Sequence, residues 1–249
     1  MRLDFDCDTG LGKKAALGLI VLQADETIEK EFRPLFDQDG VVLYHSRIAS
    51  DPEVTEETLM RMKENLTGAA ALLPGHRPLD VIGYACTSAS TVIGSGAVEA
   101  AIRKAHPGAS VTNPAVAVVA ALKAFGVERI GVVSPYIANV TEAVCGLLRR
   151  EGLEPAKIGS FGQSEEAVVA RIEARSVQDA ICAIGDDPKV DAVFASCTNL
   201  RTFPVIEACE RALNKPVISS NVALAWHMMT LAGIDTRGKA LGRLFNRET

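Results

Sequence analysis

The 249-residue sequence predicts an α/β protein of two similar halves, each a parallel sheet with helices on both faces. Short apolar runs alternate with longer amphipathic stretches along the chain, as they do in successive βα units. One element also occurs twice, at 80–90 and at 191–201. In each copy an Asp opens an apolar run, a Cys follows six residues later, and a Thr comes directly after the Cys. The two halves match in type, order and spacing, which indicates an internal duplication with a cleft between the halves.

Composition and charge exclude several classes of protein. Hydrophobic residues make up 48% and charged residues 23% of the chain, which is ordinary for a soluble α/β protein. The net charge of -5 provides no basic surface, so we expect neither nucleic acid nor membrane as a partner. The longest apolar run, around 16–22, is too short to span a bilayer. Because residues 1–8 lack a signal-peptide pattern, we expect a cytoplasmic protein with free thiols.

The chain before residue 129 is predicted to contain four strands and four helices after a loose lead-in at 1–14. The strands are continuous apolar runs, and the helices carry apolar residues at helical spacing. Proline and glycine residues separate the elements. In order, the predicted elements are strand 16–22, a helix carrying Ile28, Phe32 and Leu35, strand 41–48, a helix from about Val54, the strand ending at Cys86, helix 90–106, strand 110–112 and helix 115–125.

The chain from residue 129 onward repeats this order. We predict strand 129–135, helix 139–150, a strand near 158, a helix start at 164, helix 176–184, the strand into Cys197, helix 202–213, strand 216–220 and a final helix capped by Asn221. The predicted division assigns 1–113 together with 221–249 to the first half. Residues 114–220 form the second half.

The two repeated cysteines are the candidate catalytic residues. A single Cys in a strand is usually a small packing residue. Cys86 and Cys197, however, end equivalent strands, where open α/β sheets bind their ligands. The polar residues after each Cys predict a helix start, whose dipole would lower the thiol pKa and whose N–H groups could bind a carboxylate. Cys145, Cys182 and Cys209 lie on predicted helices and are expected to be packing residues.

Four stretches of the chain resemble the aspartate/glutamate racemase superfamily, and within it the maleate isomerase and arylmalonate decarboxylase branch. They are 18–21, 83–88, 134–140 and 196–198. The resemblance implies two flavodoxin-like halves with the active site in the cleft between them. Three further stretches, 22–27, 196–201 and 219–226, resemble racemase-like proteins associated with ectoine utilisation.

The resemblance implies an isomerase or racemase of a small carboxylic or amino acid that needs no cofactor and no metal. The chemistry would be proton transfer at the α-carbon or a maleate-type cis–trans isomerisation. The resemblance also implies a homo-oligomer, either a dimer or a tetramer. By position, the opposed catalytic pair is Cys86 and Cys197, and one substrate carboxylate is bound by Thr87, Ser88, Tyr136 and Thr198.

Two positions depart from the maleate isomerase pattern. Asp25 and Glu166 stand where those enzymes have asparagines that hold the second carboxylate of maleate. Acids at these positions would repel that carboxylate, so we expect a substrate with an amino or polar group at this end.

Two alternatives stay open. A decarboxylase or C–C lyase could use the same scaffold, although the decarboxylases have Gly at the position of Cys86. From another class, a two-lobed α/β chain could be a cytoplasmic binding protein for a small metabolite. Paired thiols at strand ends would then have no purpose, which favours the enzyme.

Overall fold

The computed structural model describes residues 1–239 and 241–247. It contains two parallel sheets of four strands each, flanked by helices, as the sequence predicts. The first sheet has the order β2-β1-β3-β4 and the second the order β6-β5-β7-β8. The strands are β1 (Ala15–Leu22), β2 (Val41–Ile48), β3 (Val81–Ala85), β4 (Ser110–Thr112), β5 (Arg129–Tyr136), β6 (Glu154–Gln163), β7 (Ala192–Ala195) and β8 (Val217–Ser219).

Helices connect the strands and cover the sheets. They are α1 (Ile28–Phe36), α2 (Glu56–Ala71), α3 (Thr87–Ile93), α4 (Ser95–Arg103), α5 (Pro114–Phe125), α6 (Ala138–Arg150), α7 (Glu166–Val169), α8 (Ala174–Gly185), α9 (Ile206–Leu213) and α10 (Ser220–Leu231), followed by a 3-10 turn at Leu244–Asn246. No helix in the described ranges is long and apolar enough to cross a membrane.

The Asp that opens each repeated run has the same structural role in both halves. Asp80 Oδ2 accepts a hydrogen bond from the backbone N–H of Ala16 at 2.7 Å, at the start of β1. Asp191 Oδ2 accepts one from the backbone N–H of Arg129 at 3.0 Å, at the start of β5. Each carboxylate therefore fixes the start of the neighbouring strand, which sets the register of the two central strands in both sheets.

Three of the four central strands are buried from end to end, and β5 is buried after its exposed first residue, Arg129. Every residue of β1, β3 and β7 is buried, as expected of parallel strands covered on both faces. The edge strands β2 and β6 carry alternating exposed residues. The carboxyl ends of β1, β3, β5 and β7 therefore present their terminal side chains from a rigid base.

The predicted division of the chain into 1–113 plus 221–249 and 114–220 stays a prediction. The strands of the first sheet do lie before residue 113, and those of the second lie between 129 and 219. The final helix α10 packs against α5, against β3 of the first sheet and against β8 of the second. It therefore contacts both halves.

Three local predictions were wrong. The helix predicted at 90–106 is two helices, α3 and α4, because Gly94 between them has a left-handed φ of 86° that breaks the helical path. The helix predicted from 202 begins only at Ile206. Asn221 does not cap α10, since the side chain of Ser219 accepts the capping hydrogen bond from the backbone N–H of Val222 at 3.1 Å.

Candidate active site

The eight site residues predicted from the sequence all line one small cavity at the carboxyl ends of the central strands. Leu22, which the sequence did not single out, also lines it. The open volume is about 10 Å³, which is room for about one water molecule. A small carboxylic acid therefore requires the cavity walls to move apart when it binds. The predicted residues in the wall are Asp25, Cys86, Thr87, Ser88, Tyr136, Glu166, Cys197 and Thr198.

Cys86 lies at the start of a helix, as predicted. It is the N-cap of α3, and its Sγ accepts a hydrogen bond from the backbone N–H of Ala89 at 3.3 Å. Burial raises the pKa of this thiol to about 12, and the charges of Glu166 and Asp25 add to the rise. The N–H groups of the helix start do lower this pKa, as predicted, but burial and the two carboxylates outweigh them, so the expectation of a lowered thiol pKa was wrong.

Cys197 does not start a helix, contrary to the prediction. Its φ is 118°, and the chain continues as an irregular loop to α9. Such a φ in a non-glycine residue costs about 1–3 kcal/mol, and strained residues of this kind cluster at functional sites. Two hydrogen bonds hold the residue: its backbone N–H donates to Ser220 Oγ at 3.0 Å, and its Sγ accepts from the backbone N–H of Asn199 at 3.2 Å.

A chain of hydrogen bonds joins the Cys197 thiol to a buried carboxylate. The hydroxyl of Tyr136 lies 3.1 Å from Cys197 Sγ and donates to Glu166 Oε1 at 2.6 Å. The second oxygen, Oε2, accepts from Asn199 Nδ2 at 2.8 Å. Tyr136 ends β5 and Glu166 begins α7, so the second half of the molecule supplies both groups.

Burial is the largest influence on the pKa values of the groups in this chain of hydrogen bonds. It raises the pKa of Glu166, while hydrogen bonds from Tyr136 and Asn199 lower it. The pKa of Cys197 rises well above its usual value, first through burial and next through the charge of Glu166. The prediction of a thiol pKa lowered by a helix dipole was therefore wrong for Cys197 as well. With Glu166 ionised, both thiols are neutral.

Asp25 is the second buried acid of the cavity. Its Oδ1 accepts hydrogen bonds from the backbone N–H groups of Thr27 at 2.8 Å and Ile28 at 2.9 Å, at the start of α1. Burial raises its pKa, and the two backbone hydrogen bonds, the nearby Thr198 hydroxyl and Arg47 lower it to a smaller extent.

The three serine and threonine hydroxyl groups among the residues predicted to bind a carboxylate differ in their hydrogen bonds. The hydroxyl of Thr87 donates to Ser220 Oγ at 2.7 Å, and that of Thr198 donates to the Ala85 carbonyl oxygen at 3.3 Å. Ser88 Oγ is buried without a hydrogen-bond partner in the described part of the chain. It is therefore the hydroxyl that is immediately available to a ligand.

Sequence reasoning missed Asn199 and Ser220. Asn199 contacts both Cys197 and Glu166, and its place two residues after the Cys could have identified it. Ser220 accepts hydrogen bonds from both Cys-Thr elements, through Thr87 and Cys197. It follows β8 directly, as the first residue of α10, so only the sheet order brings it to the site.

Glu31, a third buried acid, was also not predicted from the sequence. It lies behind the Cys197 loop and accepts hydrogen bonds from the backbone N–H groups of Thr202 at 2.8 Å and Phe203 at 2.9 Å. Asn221 Nδ2 donates to Glu31 at 2.7 Å and to the carbonyl oxygen of Thr198 at 2.8 Å. Burial raises the pKa of Glu31 to about 7. Glu31 and Asn221 together hold the loop that follows Cys197.

Among the described residues, no group of three His, Cys, Asp or Glu side chains is arranged to hold a metal ion. The six cysteines are all free thiols.

Two parallel α/β halves with a cysteine from each half in one shared cavity form the arrangement that the resemblance to the racemase superfamily implies. A family model described as arylmalonate decarboxylase matches residues 17–245. The chain therefore belongs to the arylmalonate decarboxylase family. This finding confirms the branch that the sequence resemblance indicated.

Individual relatives include both activities of the branch. Arylmalonate decarboxylase from Bordetella bronchiseptica is 32% identical over 154 residues, which cover 61% of this chain and 64% of that protein, slightly less than two thirds of its length. Maleate isomerase from Nocardia farcinica is 27% identical over 243 residues, covering 94% of this chain and 96% of the relative. The crystal structure of the maleate isomerase Iso from Pseudomonas putida S16 has a TM-score of 0.84 at 27% identity, covering 93% of this chain and 98% of that one. This structural match confirms the predicted fold class.

Proposed function

We propose that the protein is a cofactor-independent isomerase or racemase that acts on a small carboxylic or amino acid through Cys86 and Cys197. The observation that carries this proposal is the placement of both thiols in one cavity, with a hydrogen-bonded acid behind one of them. The match to maleate isomerases over nearly the whole chain supports an isomerase.

The hydrogen-bonded chain supplies a route to the reactive thiolate. The proton of Cys197 moves to the oxygen of Tyr136 while the Tyr136 proton moves to Glu166 Oε1. This double transfer leaves a Cys197 thiolate and a neutral Glu166, so the charge of the three groups does not change. Because the charge of Glu166 raises the pKa of Cys197, neutralising that carboxylate removes the repulsion.

The thiolate then acts on the substrate in one of two ways. In racemisation, Cys197 Sγ takes the α-proton, and the electron pair of the C–H bond moves into the carboxylate. Cys86 S–H returns a proton to the other face and keeps the electron pair as a thiolate, which solvent exchange or the reverse reaction resets. On a double bond, the Cys197 thiolate instead adds to one carbon, while the electron pair of the π bond takes the proton of Cys86 at the other carbon. The remaining single bond rotates. The Cys86 thiolate then takes that proton back, and the freed electron pair re-forms the double bond and releases the Cys197 thiolate. Ser88, with Thr87 and Thr198, binds the carboxylate that stabilises the developing charge.

A decarboxylase is the second candidate, favoured by the match to the Bordetella bronchiseptica enzyme. In that case loss of CO2 would leave the electron pair on the α-carbon, and Cys197 would protonate it. Cys86 would then have no essential role. The two candidates therefore differ in their need for Cys86.

The test is proton NMR in D2O with a panel of α-substituted and unsaturated carboxylic acids. We expect α-proton exchange or cis–trans conversion, and we expect net conversion to be lost in Cys86→Ser and in Cys197→Ser. Loss of a carboxyl group that persists in Cys86→Ser would instead identify a decarboxylase. An absence of all three reactions across the panel would contradict the proposed function.

The finer predictions from the sequence belong to this proposal. They are a cytoplasmic location, a homo-oligomeric state and a role in ectoine breakdown, which is supported by the resemblance of 22–27, 196–201 and 219–226. Activity should survive EDTA and be lost on treatment with iodoacetamide, which alkylates thiolates. Recovery of activity by added metal after chelation would contradict the cofactor-independent mechanism.

A further inference from the structure

One oxygen of a buried carboxylate in the cavity has no hydrogen-bond partner among the residues that the structure describes. The side chain of Asp25 is 4% exposed and lines the cavity with both thiols. Its Oδ1 is fixed by the two N–H groups at the start of α1. Its Oδ2 is buried and forms no hydrogen bond with any described residue. The carboxyl group is therefore held in place with one oxygen available to a ligand.

In the other buried acids near the site, both carboxyl oxygens accept hydrogen bonds. Both oxygens of Glu166 accept hydrogen bonds, one from Tyr136 and one from Asn199. Both oxygens of Glu31 are also engaged, by backbone N–H groups and by Asn221. Asp25 is thus the buried acid whose second oxygen is left for the substrate.

No Lys, Arg or His side chain of the described residues forms an ion pair with Asp25. The nearest cation, Arg47, donates to the backbone carbonyl oxygen of Asp25 at 3.0 Å and pairs with the exposed Glu29 at 2.8 Å. The hydroxyl of Thr198 lies close enough to the carboxyl group to lower its pKa as a hydrogen-bond donor, but it donates to the Ala85 carbonyl oxygen at 3.3 Å and leaves Oδ2 unpaired within the described part of the chain. An ionised carboxylate that is buried without a partner is destabilising, and a cationic donor on a ligand would offset that cost.

The cavity also offers a donor for a negative group. Ser88 Oγ is buried without a protein partner in the described ranges and can donate to a carboxylate. A ligand with one carboxylate and one protonated amine would satisfy both Ser88 and Asp25. A second carboxylate placed at Asp25 would face a like charge in a site with little water.

We propose that Asp25 Oδ2 binds a protonated amino group of the substrate, which makes the substrate an amino carboxylic acid and not a dicarboxylic acid. This inference rests on the proposed function, because it concerns the substrate of the same two-cysteine cavity. The bond is a charge-assisted hydrogen bond from the ammonium group to Oδ2.

The test measures binding of three unreactive four-carbon probes by calorimetry: butyrate, 4-aminobutyrate and succinate. The wild-type protein should bind 4-aminobutyrate about tenfold more tightly than either other probe. Asp25→Asn keeps an acceptor oxygen for the N–H groups of α1 but replaces Oδ2 with an NH2 group. This variant should bind 4-aminobutyrate about tenfold more weakly than the wild type does, and its affinity for butyrate should be unchanged. The control Asp37→Asn removes an exposed acid at the other end of α1 and should change none of the three affinities.

Tighter binding of succinate than of 4-aminobutyrate by the wild type would overturn the inference, as would no detectable binding of 4-aminobutyrate. The wild-type comparison needs no variant, so it stands even if Asp25→Asn folds poorly. The probes are unreactive, so their binding is independent of turnover. A preference for 4-aminobutyrate together with no reaction in the D2O panel would contradict the proposed function but not the amino-group site. Turnover of dicarboxylates without that preference would defeat only the amino-group site.

Discussion

The repeated element ends differently in the two halves of the molecule. After Cys86 the chain enters α3 at once, and the thiol caps that helix. After Cys197 the chain forms an irregular loop, and the residue has a left-handed φ of 118°. Cys86 Sγ accepts one hydrogen bond, from the backbone N–H of Ala89. Cys197 Sγ accepts one from the backbone N–H of Asn199 and also contacts the hydroxyl of Tyr136.

This comparison shows that similar sequence elements do not produce equivalent thiols. The difference comes from groups outside the repeat, since Tyr136 and Glu166 reach only Cys197 through hydrogen bonds. Cys197 therefore has an acid behind it that can take its proton, and Cys86 has none within hydrogen-bond distance among the described residues. We assign Cys197 as the group that becomes the thiolate and Cys86 as the thiol that donates a proton.

The largest expected effect is the loss of either thiol. Cys86→Ser and Cys197→Ser should each lower net conversion of substrate by about 10³-fold or more, because a serine hydroxyl is much less acidic than a thiol. Steady-state kinetics measures this loss, and circular dichroism checks the fold. Cys7→Ser, in the exposed lead-in, and Cys145→Ser, on α6, are the matched controls and should retain activity. Full activity in either active-site variant would exclude the two-cysteine mechanism.

The next effect concerns the acid behind Cys197. Glu166→Gln keeps an acceptor for Tyr136 but cannot take its proton, so kcat should fall about 10²-fold with a smaller change in KM. Tyr136→Phe, which breaks the chain at its middle, should have a similar effect. An unchanged kcat in both variants would show that Cys197 loses its proton by another route.

The pH dependence of kcat offers a second test of the same acid. Glu166 must be ionised to accept a proton, and burial raises its pKa. Activity should therefore rise with pH through a pKa above the usual glutamic acid value. This rise should disappear in Glu166→Gln, as rate measurements at fixed substrate across the acidic range can show. A rise that persists in the variant would assign the titration to another group.

A smaller effect concerns the loop that follows Cys197 and its support, Glu31. Burial raises the pKa of Glu31 from 4.5 to about 7, so between these values the folded state holds a proton that the unfolded state has lost. Glu31 therefore contributes its full stability below its pKa in the unfolded state, and this contribution is lost as pH rises through its pKa in the folded state. The decrease in the free energy of unfolding is of the order of 3 kcal/mol. Urea unfolding at pH 5 and pH 8 should show this decrease, and Glu31→Gln should reduce it; an equal pH dependence in the variant would contradict the assignment.

The smallest effect is expected at the ion pair between the two halves. Arg171 contacts Glu26 at 2.9 Å, and both side chains are more than half exposed. Such pairs contribute about 0–1 kcal/mol. Arg171→Ala should therefore change KM by about threefold or less and leave kcat unaltered. A large fall in kcat would show that this contact does more than join the halves.

The sequence was sufficient to predict the fold class and to identify every residue of the cavity wall except Leu22. Strands in parallel sheets are continuous apolar runs, and their carboxyl ends lie at one edge, so the two Cys-Thr elements could be placed from pattern alone. The remaining wall residues came from the family resemblance.

Local sequence could not predict the difference between the two cysteines. Both are followed by Thr and a polar residue, yet only Cys86 starts a helix. After Cys197, the N–H groups of Thr202 and Phe203 donate to Glu31, 171 or more positions earlier in the chain. The thiol pKa values were mispredicted for a related reason, because they depend on burial and on acids from other elements.

The central claim is that Cys197 becomes the thiolate and Cys86 donates the proton, and exchange in D2O tests it most directly. Cys86→Ser should still exchange the α-proton of one substrate enantiomer with solvent deuterium, without forming the other enantiomer. Cys197→Ser should show neither exchange nor conversion. Equal exchange by both variants, or exchange by Cys197→Ser alone, would contradict the assignment.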